Sequence, residues 1–220
     1  MKLLSVKGTL SFGWERFKEE PWRIVSVIAT GLIVSLFSSY ILGEITKGLD
    51  LVITVLAAFF DFAVQTLVGI GFIAAALKAH DSIGELKIND LWAPEYFWRY
   101  LFATVLVGII VLLGFILLIV PGIIAMVTLM FTPYLVVDRN MGPIEAMKKS
   151  RDLTKGHRWK LLLLIIIIAL LNLAGSLAFL VGLLITIPIS IIAIAHAYRT
   201  LEKQSTQTMG MVPDSTAVTA

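Results

Sequence analysis

Residues 100–137 and residues 161–198 contain no Asp, Glu, Lys or Arg, and each window is 38 residues long. As α-helix, 38 residues would extend roughly 57 Å, close to twice the ~30 Å hydrocarbon core of a bilayer. Each window therefore reads as two membrane-spanning helices joined by a tight turn. Two further spans precede them. Residues 24–43 form an uncharged run of 20, and residues 51–77 are apolar except for Asp61 and Gln65. Overall the chain is 58% hydrophobic and 15% charged. Soluble domains average roughly 45–50% and about 25%. The expected fold is all-α, a polytopic membrane protein with six transmembrane helices in three hairpins plus cytoplasmic interfacial helices.

Charge sets the orientation. With six spans, seventeen of the eighteen Lys and Arg residues fall on one side, and Lys47 alone falls on the other. Basic residues near span ends stay cytoplasmic, so both termini are expected in the cytoplasm of a cell-membrane protein. The excess of positive charge is then a topology signal, and no nucleic-acid partner is expected. The first apolar run is of full span length and follows Glu15, Glu19 and Glu20, so it reads as an anchor and not as a cleaved signal peptide. Zero cysteines exclude disulfides and thiolate chemistry.

The odd-numbered spans open alike: Trp22-Arg23, Trp98-Arg99 and Trp159-Lys160. Trp favours the headgroup interface, and the adjoining cation can snorkel there, so Trp22, Trp98 and Trp159 are read as interfacial anchors. Two readings stay open: the same physics met three times, or a triplicated unit of cytoplasmic segment plus hairpin. Each hairpin is preceded by a cytoplasmic segment with interfacial character. Leu10, Trp14 and Phe17 mark the first, within residues 1–21, and Ile83 to Phe97 a second. The third starts from Asn140-Met141-Gly142-Pro143 and continues as a helix to about Leu153. Lys148, Lys149, Arg151, Lys155 and Arg158 follow closely and are expected to bind anionic lipid headgroups. Residues 22–203 form the membrane domain, and the polar residues 204–220 read as a disordered tail.

Pro121-Gly122 signals the turn of the second hairpin. Pro133 and Pro188 lie inside spans four and six, where each removes a backbone donor and kinks its helix. Asp61 is the one charge at membrane depth. A carboxylate at the centre of a span costs about 2.5–3.5 kcal/mol on insertion scales, so it needs a partner. Gln65 lies one turn on, and Gly69 another turn along leaves room for a close neighbour. The face reads as a polar seam pointing into the bundle. Its candidate partners are Ser35, Ser38, Ser39, Tyr40, Thr128, Thr132, Asn172 and Ser176. The seam has two readings, an interhelical clamp or a relay for transport. His80, His157 and His196 all fall at cytoplasmic ends of spans but lack the spacing of a metal site. No metal, cofactor or catalytic motif is expected.

The segments Leu118-Ile119-Val120-Pro121-Gly122, Phe131-Thr132-Pro133-Tyr134, Gly142-Pro143-Ile144-Glu145-Ala146 and Lys155-Gly156-His157-Arg158-Trp159-Lys160 form a pattern over roughly residues 95–200. It resembles the membrane-domain group of glycerophosphoryl diester phosphodiesterases and their many uncharacterised prokaryotic relatives. That resemblance implies six helices and, without the soluble catalytic domain that some relatives carry, no phosphodiesterase activity. The resulting expectation is a non-enzymatic membrane protein of an envelope-accessory kind. It would bind lipid, a partner membrane protein or a second copy of itself. The alternative is a small-solute or lipid transporter using Asp61.

Overall fold

The computed structural model describes residues 5–177 and 182–210. Among them the ordered elements are all helical. They are α1 (Val6–Glu19), α2 (Pro21–Ile45), α3 (Leu51–Asp81), α4 (Phe97–Leu117), α5 (Ile119–Leu129), α6 (Thr132–Arg139), α7 (Pro143–Thr154), α8 (Arg158–Leu177) and α9 (Leu183–Gly210). Three 3-10 turns, Ile83–Glu85, Ile88–Leu91 and Pro94–Tyr96, form a strap between α3 and α4. Six helical stretches among the described residues are long and apolar enough to cross a membrane: Pro21–Ile45, Leu51–Asp81, Ile88–Leu117, Ile119–Arg139, Arg158–Leu177 and Leu183–Gln207.

Local chemistry sets the boundaries. The Ser5 hydroxyl accepts from the Gly8 amide and opens α1. Proline stands at the first position of α2 and of α7, where no helical donor is lost. Asp50 caps α3 by accepting from the Leu51 amide, and Asn140 ends α6 in the left-handed region at φ 52°.

Burial is strongly polarised. The starts of α2 and α4, the ends of α3 and α6 and the Arg199 stretch of α9 gather at one end, the base. There the Arg23 guanidinium donates to the Gly84 carbonyl, and Arg99 donates to Asn140 Oδ1 at 2.8 Å. The packed core is concentrated toward the base and includes Leu77, Tyr134, Leu135, Val136, Ala146, Leu153, Tyr198 and Leu201. Phe131, Tyr134 and Tyr198 meet edge-to-face or tilted within it at centroid separations of 5.6–6.2 Å, each pair worth about 0.5–1.5 kcal/mol beyond its burial. Away from the base the helices are largely bare. Leu36, Phe37, Leu51, Phe59, Phe60, Ile116, Leu117 and Leu170 are all exposed.

The three short segments share one mode of packing. α1 lies on α9, the strap on α3, and α7 on α5 and α6. Each covers the second long helix of the preceding unit, in cyclic order, which supports the triplication reading. Two glycines make the close approaches possible. A Cβ on Gly13 of α1 would lie 2.8 Å from the Ile189 carbonyl oxygen, and one on Gly71 of α3 would strike the Leu91 carbonyl of the strap.

Several expectations need correction. The second of the expected interfacial helices is a chain of 3-10 turns, as its irregular apolar spacing allows. The turn between α4 and α5 is at Leu118 (φ −166°, ψ 156°), so Pro121 sits in the first turn of α5. α9 runs on through Gln204 to Gly210, which makes the first part of the expected disordered tail helical; residues 211–220 lie outside the described residues, as do residues 1–4 of the first segment.

Candidate functional site

The Pro133 break is closed by α7. With α5 ending at Leu129 and α6 starting at Thr132, backbone groups lose their helical partners. Ser150 of α7 accepts from the Phe131 amide at 3.2 Å, and its hydroxyl donates to the Thr128 carbonyl at 2.9 Å. Thr154 donates to the same carbonyl at 3.3 Å. Ser150 and Thr154 are both fully buried. One face of α7 is therefore part of the core, and only the opposite face is free.

That division sorts the predicted basic cluster. Lys148, Arg151 and Lys155 are exposed. Lys149 is half-buried and donates to the Ser205 hydroxyl at 3.4 Å, tying α7 to α9. Arg158, at the start of α8, is half-buried. The predicted anchors Trp22, Trp98 and Trp159 are 84%, 65% and 83% exposed, and all three stand at the base, each in the first turn of a long helix.

Asp61 does not point into the bundle. Its carboxylate accepts from the Ser38 hydroxyl at 2.8 Å, the Ser39 hydroxyl at 3.0 Å and Gln65 Nε2 at 3.4 Å. Gln65 in turn accepts from the Ser35 hydroxyl at 2.5 Å and donates to the Ser35 carbonyl at 3.2 Å. The seam thus joins α2 to α3 alone, in the thinly packed half of the molecule. Ser35, Ser38 and Ser39 are the partners chosen. Thr128 and Thr132 lie at the α5–α6 break, and Asn172 bonds to Ser190 of α9. Gly69 admits the Tyr100 hydroxyl of α4.

The sequence reading missed the largest polar network. At the base, Arg199 of α9 bridges the other two returning helices, donating to Asp81 of α3 at 2.6 Å and to Asp138 of α6 at 2.8 Å. It also reaches Glu202 at 3.3 Å, and Arg139 pairs with Glu202 at 2.7 Å. The Tyr198 hydroxyl donates to Asp138 at 2.8 Å. His80 and His196 meet with ring nitrogens 3.1 Å apart, and Phe12 of α1 stacks on His196 at 4.0 Å. His157 lies elsewhere, beside the Lys155 carbonyl. The available signal was that the uncharged runs of α3, α6 and α9 each close on charged residues: His80-Asp81, Asp138-Arg139 and Arg199 with Glu202. A polar cavity of about 440 Å³ adjoins the network, lined by Lys78, Asp81, Glu85, Trp92, Tyr96 and Asp138 among others. Among the described residues no three His or acidic side chains converge to hold a metal ion.

Between α5 and α8 lies an apolar cleft of about 370 Å³, with Arg158 and Trp159 among its lining residues.

Helices of membrane-spanning length and apolarity, joined by a charged and closely packed base, define the class to which this chain belongs. The chain is a member of the family described as a domain of unknown function, DUF7847, whose model matches residues 46–220. The match takes in α3 to α9 with Asp61, the base network and the α5–α8 cleft, and begins after the serines of α2 that hold Asp61. No curated protein and no solved structure matches the chain.

Proposed function

We propose that this is a multi-pass protein of the cell membrane, inserted as three helical hairpins with both termini in the cytoplasm. It acts without catalysis, as an envelope-accessory protein whose base binds anionic lipid headgroups. The observation that carries this reading is the arrangement around the base. Trp22, Trp98 and Trp159 project outward there, and the exposed cations Lys148, Arg151 and Lys155 stand at the same end. Away from the base the helices present bare apolar surface, while the base itself is charged and packed. Exposed indole rings at helix starts with exposed cations nearby in the chain, and bare apolar helix beyond, match the chemistry of a headgroup layer. The resemblance to the glycerophosphoryl diester phosphodiesterase membrane-domain group supports reading the chain as a membrane module of that kind. The alternative, a transporter using Asp61, draws less support, because that carboxylate is taken up by neutral partners on α2 and α3.

Topology is tested on the cysteine-free chain by introducing Gly48→Cys or Gln207→Cys and labelling intact cells with an impermeant maleimide. Only Gly48→Cys should react before lysis; the reverse pattern sinks the orientation. Lipid preference is tested with the triple variant Lys148→Glu, Arg151→Glu, Lys155→Glu in vesicles of phosphatidylglycerol or phosphatidylcholine. Wild type should retain phosphatidylglycerol preferentially and the variant should not. Equal retention of both lipids by wild type would defeat the headgroup reading.

A further inference from the structure

The guanidinium of Arg158 stands apart from the other arginines. Arg16, Arg23, Arg99, Arg139 and Arg199 all have a carboxylate, carbonyl or amide-oxygen partner, and Arg151 is exposed to solvent. Arg158 is half-buried, its Nε is fully buried, and among the described residues it has no hydrogen-bond or ion-pair partner. A buried N–H without an acceptor is costly, and an anion on this half-buried guanidinium would supply one. Arg158 also lines the cleft between α5 and α8, whose other walls are Val120, Ile123, Ile124 and Val127 of α5 and Leu162 of α8. The volume of about 370 Å³ falls within the range of ligand sites, about 300–1,000 Å³. From Val127 to Val120 the cleft follows roughly 10 Å of α5. Trp159, 83% exposed, sits beside Arg158 and marks the level of the headgroups.

We propose that the α5–α8 cleft is a discrete site for one anionic phospholipid, with the phosphate on Arg158 and an acyl chain laid along the α5 wall from Val127 toward Val120. A guanidinium offers paired donors that match phosphate oxygens. A free phosphate would satisfy Arg158 but leave the apolar wall empty, so the occupant is an amphiphile whose charge and chain sit at the spacing that the cleft provides. The inference rests on the membrane reading above and assigns that reading's ligand to one stoichiometric site, separate from the exposed face of α7.

The test uses the full chain, delipidated in detergent, with native mass spectrometry and thermal unfolding as readouts. Dioleoyl phosphatidylglycerol, dioleoyl phosphatidylcholine and inorganic phosphate are titrated separately. Wild type should hold one phosphatidylglycerol and gain thermal stability with it, while phosphatidylcholine and inorganic phosphate do neither. Arg158→Gln should weaken that binding roughly tenfold or more, the loss expected for hydrogen bonds to a charged group. Ile124→Trp fills the cleft from a residue already exposed, so it keeps the fold and should remove the bound lipid even if Arg158→Gln misfolds. The proposal fails if phosphatidylglycerol still binds both variants one to one as in wild type. It fails equally if inorganic phosphate protects as well as the lipid, or if the cleft is filled by a second copy and the mass is that of a dimer without lipid. The triple α7 variant separates the two readings: loss of binding there, with Arg158→Gln and Ile124→Trp unaffected, would keep the headgroup reading and discard this site.

Discussion

Removing one hydroxyl, in Ser150→Ala, should destabilise this protein more than its size suggests. Ser150 is fully buried and serves two backbone groups at the α5–α6 break, the Phe131 amide and the Thr128 carbonyl. Alanine leaves the shape nearly unchanged but deprives both. Thr128 keeps a second donor in Thr154 at 3.3 Å, so the orphan is the Phe131 amide. An unsatisfied buried donor costs about 1–3 kcal/mol. Each kcal/mol moves Tm by about 2–4 °C in a chain of this length. Thr154→Ala alone should cost little, since Ser150 still serves Thr128. The double variant should cost more than the sum, because Thr128 then loses both donors, a coupling that a double-mutant cycle measures directly. Ser176→Ala, whose hydroxyl bonds only to the Leu173 carbonyl of its own helix, is the control. The assay is thermal unfolding in one detergent, with amide exchange at Phe131 as the local readout. That amide should exchange about tenfold faster for each 1.4 kcal/mol lost. A Ser150→Ala protein that matches the control in both measurements would refute the claim that α7 closes the break, and α7 would revert to a helix lying on the surface.

Three further outcomes follow from the packing. Asp61→Asn should lower stability by about 0.6–2 kcal/mol, the range for interhelical hydrogen bonds in membranes, because the carboxylate accepts from three donors between α2 and α3; a neutral or stabilising result in a thermal melt would return the residue to the transport reading. Gly13→Leu should detach α1, since even a Cβ there would lie 2.8 Å from the Ile189 carbonyl oxygen. The check is tryptic cleavage at Lys7, Arg16 and Lys18, which should become several-fold faster, and unchanged cleavage would count against docking of α1. Arg199→Gln leaves Asp81, Asp138 and Glu202 without their shared cation. Breaking a fully buried pair costs about 3–5 kcal/mol, and the cost is smaller here because Asp81 is half exposed. An unfolding midpoint equal to that of wild type would show the hub to be idle.

The Asp61 seam shows where sequence reasoning stops. Gln65 at i+4 and the serines of the preceding helix were legible as candidate partners, because helical periodicity alone puts them on facing stripes. Which way the stripe pointed was not legible. It depends on how far the α2–α3 pair stands from the other helices, and that is a property of the whole packing. The basic cluster divides in the same way. Its positions are a matter of spacing, but only the docking of Ser150 and Thr154 decides that Lys149 turns toward Ser205 while Lys148 and Arg151 face outward.

By itself the sequence determined the all-helical class and the six stretches of spanning length, since uncharged windows of that length leave few alternatives once backbone groups must satisfy one another without water. It also determined the Trp-marked ends, which recur at three helix starts. The tertiary structure alone decided the base. His80 and His196 are 116 residues apart, and Arg199 reaches carboxylates 118 and 61 positions away. Local pattern carries no record of such pairings, because they exist only once α3, α6 and α9 are brought to one place.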